Sequence, residues 1–393
     1  MKYKCILVTT FCFLAGSAFA DSPPLDCARK SLADFINTGR EKSIRFTGVC
    51  SGPIVMRTDG LTLTGVGTAI IDGGGQSQDA VTVKGVHAVS LANLEIRNGK
   101  NGIIGVNGAH ISLNNVNVHD NQVFGISLQT ASSAIMSKVT TNHNGVHGLD
   151  LETGAAGTVT GPFTSSDNRV FGINVNGSSL TFSLSTATIS GNALGIQVAT
   201  GANAFLNDSK TVLNLTDNLA TGLTIVSGGH MVSFGGTINA TDNPVNGVSL
   251  NSKAGLDLDA GSLLKCDNNG DGLLLQENSV MTVFNIPQFS GAPGFSTVSC
   301  SHNNGNGVKL RNGSTLTLSN QAQLNSTQNG ANGLIADNGV GATLVNSTLT
   351  GNTGKDIQLT FGSRADLQTL TFGSYSCDAT VLVRGTSGIS CPH

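Results

Sequence analysis

The sequence predicts an all-β solenoid, a rod in which short strands stack as successive coils. Three observations predict this fold: Gly accounts for 51 of the 393 residues, a turn phrase recurs along most of the chain, and charged residues make up only 11%. Gly ranks poorly in helix interiors, which disfavours a helical bundle. The net charge of −3 provides no basic excess for binding nucleic acid, and the 39% hydrophobic content disfavours disorder.

The first twenty residues predict a secretory signal peptide. Lys2 and Lys4 precede an apolar run at 6–15, and residues 18–20 (Ala-Phe-Ala) form a small-residue cleavage site. The run is shorter than a membrane span requires, although a retained anchor is the alternative. We expect cleavage after Ala20 and a soluble protein, secreted or periplasmic, without a membrane span.

A repeated phrase is the strongest signal in the chain. It consists of Asn, two or three residues, Gly, an aliphatic residue, any residue and usually a second aliphatic residue, as in Asn121–Leu128 and Asn144–Leu151. From Gly102 onward most copies lie 23 to 27 residues apart, with one step of 35, and the last copy has Asp356 in place of Gly. A period of this length indicates stacked supersecondary units and not a mosaic of domains.

The phrase also predicts the inside and the outside of each coil. Its aliphatic residues alternate with other residues, so they face one side of a strand and stack into interior rows. The Asn lies where the chain bends, and stacked amides can hydrogen-bond along their own ladder. The Gly permits a bend that a Cβ atom would obstruct. About eleven coils at the usual strand spacing predict a rod of roughly 50 Å.

From about Gly60 to Leu370, this series of Asn…Gly-[Ile/Leu/Val]-x-[Leu/Val] turns resembles the right-handed parallel β-helix proteins of pectin-lyase type. The resemblance implies that fold, and it is nearly silent on activity, because the superfamily includes lyases, hydrolases, epimerases, adhesins and phage tail proteins. We therefore divide the chain into a signal peptide (1–20), an N-terminal cap (21–59), β-helix repeats (60–370) and a C-terminal cap (371–393).

The N-terminal cap is expected to contain a helix between Asp26 and Thr38, where apolar residues recur at helical spacing. These residues are Ala28, Leu32, Phe35 and Ile36. Such a helix would cover the open end of the solenoid, whose edge strands otherwise invite aggregation.

Six cysteines follow the signal peptide, and an even number in an oxidising compartment predicts three disulfides. Six cysteines allow fifteen pairings, but the repeat favours one pair. Cys266 and Cys300 occupy about the same column of consecutive coils, within disulfide range. Cys27 and Cys50 are expected to bracket the N-terminal cap, and Cys377 and Cys391 to close the far end. A thiolate metal site is the alternative, but the chain has no Cys-x-x-Cys spacing.

One repeat is long because of an insertion from Ser279 to Val298, which is rich in Phe and Pro. We expect this segment to leave the rod as an apolar-lined loop. Such a loop would either pack on the rod or form the wall of a groove.

One coil gathers the densest set of titratable side chains in a chain with few charges. The candidate catalytic residues are His143, His147, Asp150 and Glu152. The candidate substrate-binding residues on neighbouring coils are Asp120, Asp167, Arg169 and Asn174. Stacked carboxylates can raise each other's pKa, bind Ca²⁺ or act as general acid and base, and a nearby His can transfer protons.

The spacing of two carboxylates within this coil suggests a reaction class. Asp150 and Glu152 lie on the same face of one strand, about 7 Å apart, which fits an inverting hydrolase. The alternative is a solvated polar face whose Asp residues form turn hydrogen bonds. No metal site is assigned, and Ca²⁺ is a candidate cofactor only.

Family signatures leave the activity open. Polygalacturonases of this fold carry an adjacent Asp-Asp pair, and this chain has none. Alginate epimerases on a similar scaffold place Asp-Pro-His-Asp after the turn Gly and its hydrophobic residue. Here Gly148 and Leu149 are followed by Asp150-Leu151-Glu152-Thr153, so only the first Asp matches. The chain has no Trp on which a sugar could stack, and Phe124 with Phe171 is the fallback platform.

Two functional hypotheses follow. The first is a secreted protein that binds an extended, acidic polysaccharide or cell-surface glycan and cleaves or modifies it, as a lyase or glycoside hydrolase, near Asp150. The second is a non-catalytic envelope, adhesive or host-interaction scaffold. The sequence does not predict an oligomeric state.

Overall fold

The computed structural model describes residues 23–75, 77–285, 294–319, 321–385 and 388–392. The predicted signal peptide therefore lies outside the described residues, as does part of the predicted insertion. Among the described residues, no helix has the length and the apolar character needed to cross a membrane.

Almost all of the regular structure consists of short strands. In chain order the elements are β1 (Leu25–Asp26), α1 (Leu32–Asn37), β2 (Ser43–Ser51), β3 (Ile54–Met56), β4 (Thr62–Asp72), β5 (Val81–Lys84), β6 (Val89–Arg97), β7 (Ile103–Val106), β8 (His110–His119), β9 (Phe124–Leu128), β10 (Ser133–Asn142), β11 (His147–Glu152), β12 (Ala156–Val159), β13 (Phe163–Ser166), β14 (Phe171–Asn176), β15 (Ser179–Phe182), β16 (Thr186–Ser190), β17 (Leu194–Ala199), β18 (Asn203–Leu206), β19 (Val212–Thr216), β20 (Thr221–Ile225), β21 (His230–Phe234), β22 (Thr237–Thr241), β23 (Asn246–Leu250), β24 (Gly255–Asp259), β25 (Leu263–Lys265), β26 (Asp271–Leu275), β27 (Val280–Val283), β28 (Ser296–Ser299), β29 (Val308–Arg311), β30 (Thr315–Leu318), β31 (Ala322–Asn325), β32 (Leu334–Asp337), β33 (Gly341–Leu349), β34 (Ile357–Leu359), β35 (Arg364–Phe372), β36 (Tyr375–Cys377) and β37 (Leu382–Gly385).

These strands form two parallel sheets, and the chain passes through both in every coil. The described residues place 23 strands in one sheet, here called sheet A, and 14 in the other, here called sheet B. A middle coil shows the pattern: β11 belongs to sheet B, β12 and β13 belong to sheet A, and the chain then returns to sheet B at β14. Each coil pairs with the next in parallel register, which confirms the predicted all-β solenoid.

The rod has about fourteen coils, because sheet B receives one strand per coil, so the predicted eleven was wrong. The three additional coils contain β3, β5 and β36, whose strands follow no Asn…Gly phrase. The register aligns Ile54 with Val81 and Val81 with Ile103. Pro53 and Ala80 therefore occupy the column of Gly102, and a search for Gly does not find these coils.

The ladder also extends on both sides of residues 60–370. Strand β2 pairs with β4 near the start, and β37 pairs with β35 near the end. Aliphatic side chains from all the coils fill one continuous core between the sheets. Transfer of these side chains out of water is the main source of stability of such a rod.

The predicted amide ladder runs along the bend that leads into sheet B. Asn144 Nδ2 donates to Asn168 Oδ1 at 2.9 Å, and Asn168 Nδ2 donates to Asn192 Oδ1 at 3.0 Å. Asn121 before them and Asn192 after them in the same column make the same contact with the next coil. The Gly column leaves no room for a side chain: a Cβ atom on Gly125 would lie 2.6 Å from the Gly148 carbonyl oxygen.

The N-terminal helix is present but shorter than expected. Helix α1 spans Leu32–Asn37, and the Ser31 hydroxyl caps it by accepting a hydrogen bond from the Asp34 N–H at 3.1 Å. Leu32 and Ile36 are buried, and the helix packs against β2 and β3. Ala28 lies outside the helix, in the turn that connects β1 to α1.

All three expected disulfides are present. Cys27 is bonded to Cys50, Cys266 to Cys300 and Cys377 to Cys391, with Cα–Cα distances of 5.0, 4.6 and 5.5 Å. The middle pair confirms the register argument, since Lys265 and Ser299 are ladder partners immediately before the two cysteines. Three disulfides indicate an oxidising compartment, extracellular or periplasmic.

The predicted insertion is shorter than expected. Both of its ends belong to the rod: β27 pairs with β24, and β28 pairs with β25. Of the residues between Val283 and Ser296, the structure describes Phe284, Asn285, Gly294 and Phe295, and these four lie outside the strands. Most of that segment, residues 286–293, lies outside the described part of the chain, so the wall of a groove remains a prediction.

Candidate functional site

Asp150 lies at the centre of an outward-facing polar row on sheet B. Its neighbours on β11, Leu149 and Leu151, point into the core, so alternation along the strand directs Asp150 away from it. The ladder aligns Asp150 with Ser127 on β9 and Asn174 on β14. Despite this outward position, Asp150 has 0% of its surface exposed.

The Asp150 carboxylate is held by the coils on both sides. Asn174 Nδ2 donates to Oδ1 at 2.8 Å, and the Ser127 hydroxyl donates to Oδ2 at 3.3 Å. Burial raises the pKa of Asp150 to about 6; these hydrogen bonds act in the opposite direction, while the negative charge of Glu152 adds to the increase. The group therefore exchanges its proton near neutral pH.

His147 forms the middle of a stack of three rings. Its ring centroid lies 5.3 Å from that of Phe124 and 4.8 Å from that of Phe171, each contributed by an adjacent coil. Burial between the two half-buried phenyl rings lowers the pKa of His147 to about 4, and a hydrogen bond with the Val146 backbone partly offsets this decrease. His147 is therefore neutral at physiological pH.

The four predicted catalytic residues lie in two parts of the coil, three on β11 and one on the bend before it. His147, Asp150 and Glu152 lie on β11, where Glu152 is half-buried two residues beyond Asp150. His143 is exposed on the preceding bend, at a φ of 53°, and its Nδ1 contacts Asn142 Nδ2 at 2.9 Å. His143 is itself the left-handed bend residue, and residues 144–146 separate it from β11, so we retain only the three β11 residues as the candidate site.

Of the four predicted substrate-binding residues, Asn174 is the one that donates a hydrogen bond to Asp150. Asp120 and Asp167 occupy the same left-handed bend column as His143, with φ of 53° and 55°. Asp is tolerated at such a φ, which accounts for part of their recurrence. Arg169 is exposed two residues beyond Asp167.

A second charged cluster on sheet A was not predicted. Arg97 contacts Asp72 and Glu95, each at 3.0 Å, and Glu95 contacts His119 at 3.1 Å. His119 in turn contacts Asp120 at 2.6 Å. The signal was available in the register, because Asp72, Arg97 and His119 are successive ladder partners on β4, β6 and β8.

The structure offers no metal centre at either place. Among the residues it describes, no three His, Cys, Asp or Glu side chains lie in an arrangement that could hold a metal ion. Ca²⁺ therefore stays a prediction from the sequence, and no step below depends on it.

Comparisons with known proteins address the fold. The family model described as "right handed beta helix region" matches residues 45–194. The mannuronan C-5 epimerase AlgE6 A-module of Azotobacter vinelandii is similar in structure, with 15% identity, a TM-score of 0.50, and coverage of 89% of this chain and 93% of that chain.

Two further solved structures are more distant. The AlgE4 A-module of the same organism has 12% identity, a TM-score of 0.29, and coverage of 92% of this chain and 90% of that chain. The pectate lyase Pel9A has 12% identity, a TM-score of 0.27, and coverage of 85% and 69%. No curated protein matches the chain by sequence. The matched region, the parallel register and the likeness to the AlgE6 A-module agree on the fold: the chain is a parallel β-helix, and residues 45–194 match the right-handed β-helix family model.

Proposed function

We propose that the protein binds an extended polysaccharide along sheet B and modifies it by proton transfer at Asp150. The observation that carries the proposal is a fully buried, ionisable carboxyl at an outward position of the rod. Ser127 and Asn174 fill the adjacent positions of the same row without a charge. Because burying an acid costs free energy, an Asp at this position suggests a chemical role.

The three β11 side chains would divide the chemistry. Asp150, with a pKa of about 6, is placed to donate or accept a proton near neutral pH. Neutral His147 accepts a hydrogen bond from the Phe171 N–H at Nδ1, at 3.3 Å, so its Nε2 carries the proton and would be a hydrogen-bond donor on the same strand. Glu152 is half-exposed, so a polymer on the surface contacts it before it reaches Asp150. The arrangement suits hydrolysis or elimination, and the chain supports both classes equally.

A structural likeness adds support. The A-module with a TM-score of 0.50 is an epimerase of mannuronan, so one rod of this fold acts on a polysaccharide. Secretion is part of the same proposal: the predicted signal peptide, with cleavage after Ala20, and the three disulfides would place the protein where extracellular glycans occur.

A non-catalytic scaffold is the second candidate. The observation that favours it is that Asp150 has no exposed surface and accepts hydrogen bonds from both neighbouring coils. Under this hypothesis the carboxylate only joins three coils, and the rod presents its faces to a partner.

We expect Asp150→Asn to lower the activity on a responsive polymer by at least about 100-fold, since general acid–base groups contribute 10²–10⁴-fold. A panel of charged and uncharged polysaccharides would be assayed for unsaturated products and new reducing ends. Asp337→Asn is the matched control, because it makes the same change on sheet B at β32.

The result also separates the two candidates. Full activity in Asp150→Asn, with the fold confirmed by circular dichroism, would contradict the catalytic role. If the wild-type protein acts on none of the polysaccharides in the panel, the non-catalytic scaffold would be favoured.

A further inference from the structure

We infer that the polymer bound at this site carries no acidic groups and is either uncharged or amino-bearing. This inference rests on the proposed function, because it concerns the ligand of the same site. It departs from the acidic polymer expected from the sequence, and its basis is the distribution of charge around β11.

The face around Asp150 contains acids and no bases. Five consecutive strands of sheet B, from β9 to β20, contain Asp150 and Glu152 but no Lys or Arg. A ligand lying along this part of the sheet therefore meets no cation on the strands. An anionic ligand would lose its hydration there without gaining a compensating ion pair.

The bend that leads into these strands is also acidic. Asp120, Asp167, Asp217 and Asp242 are exposed in one left-handed column, with φ between 53° and 61°. The backbone does not require a charge there, since Gly191 occupies the same column with a φ of 68°. Arg169 and Lys100 are exposed basic residues beside this column, so its four acids outnumber them along the edge of the site.

The cations at outward positions of sheet B lie several coils from Asp150: Lys84 is on β5, three strands before β11 in the sheet, and Lys309 and Arg311 are on β29. Lys309 belongs to the row of Asp150, but six strand steps separate them in the register. That separation corresponds to roughly 29 Å at the usual strand spacing. Lys309 Nζ is moreover paired with Asp271 at 3.1 Å. A polymer with one carboxylate per sugar would thus bring its charges against stacked acids, which repel it.

The stack of Phe124, His147 and Phe171 indicates what the site accepts instead. The two phenyl rings are half-buried, so part of each ring remains open to solvent beside Asp150. Aromatic rings pack against the apolar C–H face of a sugar, and they attract ammonium groups through their π-electrons. The half-exposed Glu152 would pair with an amine and would also accept hydrogen bonds from hydroxyl groups.

The experiment measures binding of the full secreted chain to matched polymers with and without charge, in EDTA. The pairs are polygalacturonate and its methyl ester, alginate and its propylene glycol ester, and carboxymethyl- and hydroxyethyl-cellulose; chitosan provides the amino-bearing polymer. We expect the uncharged member of at least one pair to bind at least tenfold more tightly than the acidic member. The difference should shrink in high salt, which screens the exposed acids.

A variant tests the source of the discrimination. Asp167→Asn combined with Asp217→Asn removes two exposed bend acids, and it should improve binding of the acidic polymers several-fold with little change for the esters. Tighter binding of an acidic polymer by the wild-type protein, or binding of it only after Ca²⁺ is added, would overturn this inference alone. Binding to none of the polymers would overturn the proposed function together with the inference.

Discussion

Asn192→Ala is expected to lower the free energy of unfolding by about 3–5 kcal/mol, because it leaves several buried polar groups without partners. The Oδ1 atom of Asn192 accepts hydrogen bonds from the backbone N–H and Nδ2 of Asn168 at 2.9 and 3.0 Å. Its Nδ2 donates to Asn218 Oδ1 at 3.1 Å and to the Ser165 carbonyl at 3.0 Å. Asn192 has 0% of its surface exposed, so water cannot replace these bonds without local opening.

The measurement is urea unfolding of wild type and variant, with Asn207→Ala as the control. Asn207 is exposed and lies outside the ladder, so its loss should change the stability by less than about 0.5 kcal/mol. Equal losses in the two variants would show that the ladder adds nothing to the general cost of removing an Asn.

The second prediction concerns the pH dependence of stability in Asp150→Asn. Burial raises the pKa of Asp150 from 3.8 to about 6, so the folded protein binds this proton more tightly than the unfolded chain does. The contribution of Asp150 to stability is therefore greatest at low pH and falls as the pH rises from about 4 to about 6. At one pKa unit per 1.36 kcal/mol, the fall is about 3 kcal/mol.

His147 has the opposite effect in the same range. Burial lowers its pKa from 6.5 to about 4, so the unfolded chain binds the proton more tightly. The contribution of His147 to stability is lost as the pH falls from 6.5 towards 4, again by about 3 kcal/mol. In the wild-type protein the two slopes nearly cancel.

Removing either group should therefore reveal the other. As the pH rises from about 4 to about 6, we expect the free energy of unfolding of Asp150→Asn to increase by about 3 kcal/mol relative to that of the wild type. Over the same range, that of His147→Gln should decrease by about as much. Denaturant unfolding at several pH values in this range measures both. Parallel pH curves for the wild type and both variants would contradict the burial of these two groups.

The coil and its register could be predicted from the sequence because they depend on short, periodic patterns. The alternation around each turn Gly places aliphatic residues inside, and the fixed rise between coils brings residues one period apart into contact. For this reason the amide ladder and the Cys266–Cys300 disulfide follow from spacing alone. The number of coils does not follow from the spacing, because Pro53 and Ala80 occupy the positions at which the phrase has Gly.

The candidate site was predicted only as a group of neighbours in the sequence. The pattern placed His143 beside Asp150, but a left-handed bend residue lies outside sheet B. The charged cluster around Glu95 and Arg97 on β6 was missed because its other members, Asp72 and His119, come from the coils on either side and share no motif with them.

What the sequence by itself determined is therefore the coil, its interior and its disulfide register. Only the tertiary structure decided that Asp150 is buried, that His147 is enclosed between two phenyl rings, and that their pKa values move in opposite directions. The physical reason is that the solvation of a side chain depends on the coils above and below it. Those neighbours lie about 23 residues away in the sequence, and the repeat constrains their positions but not their chemistry.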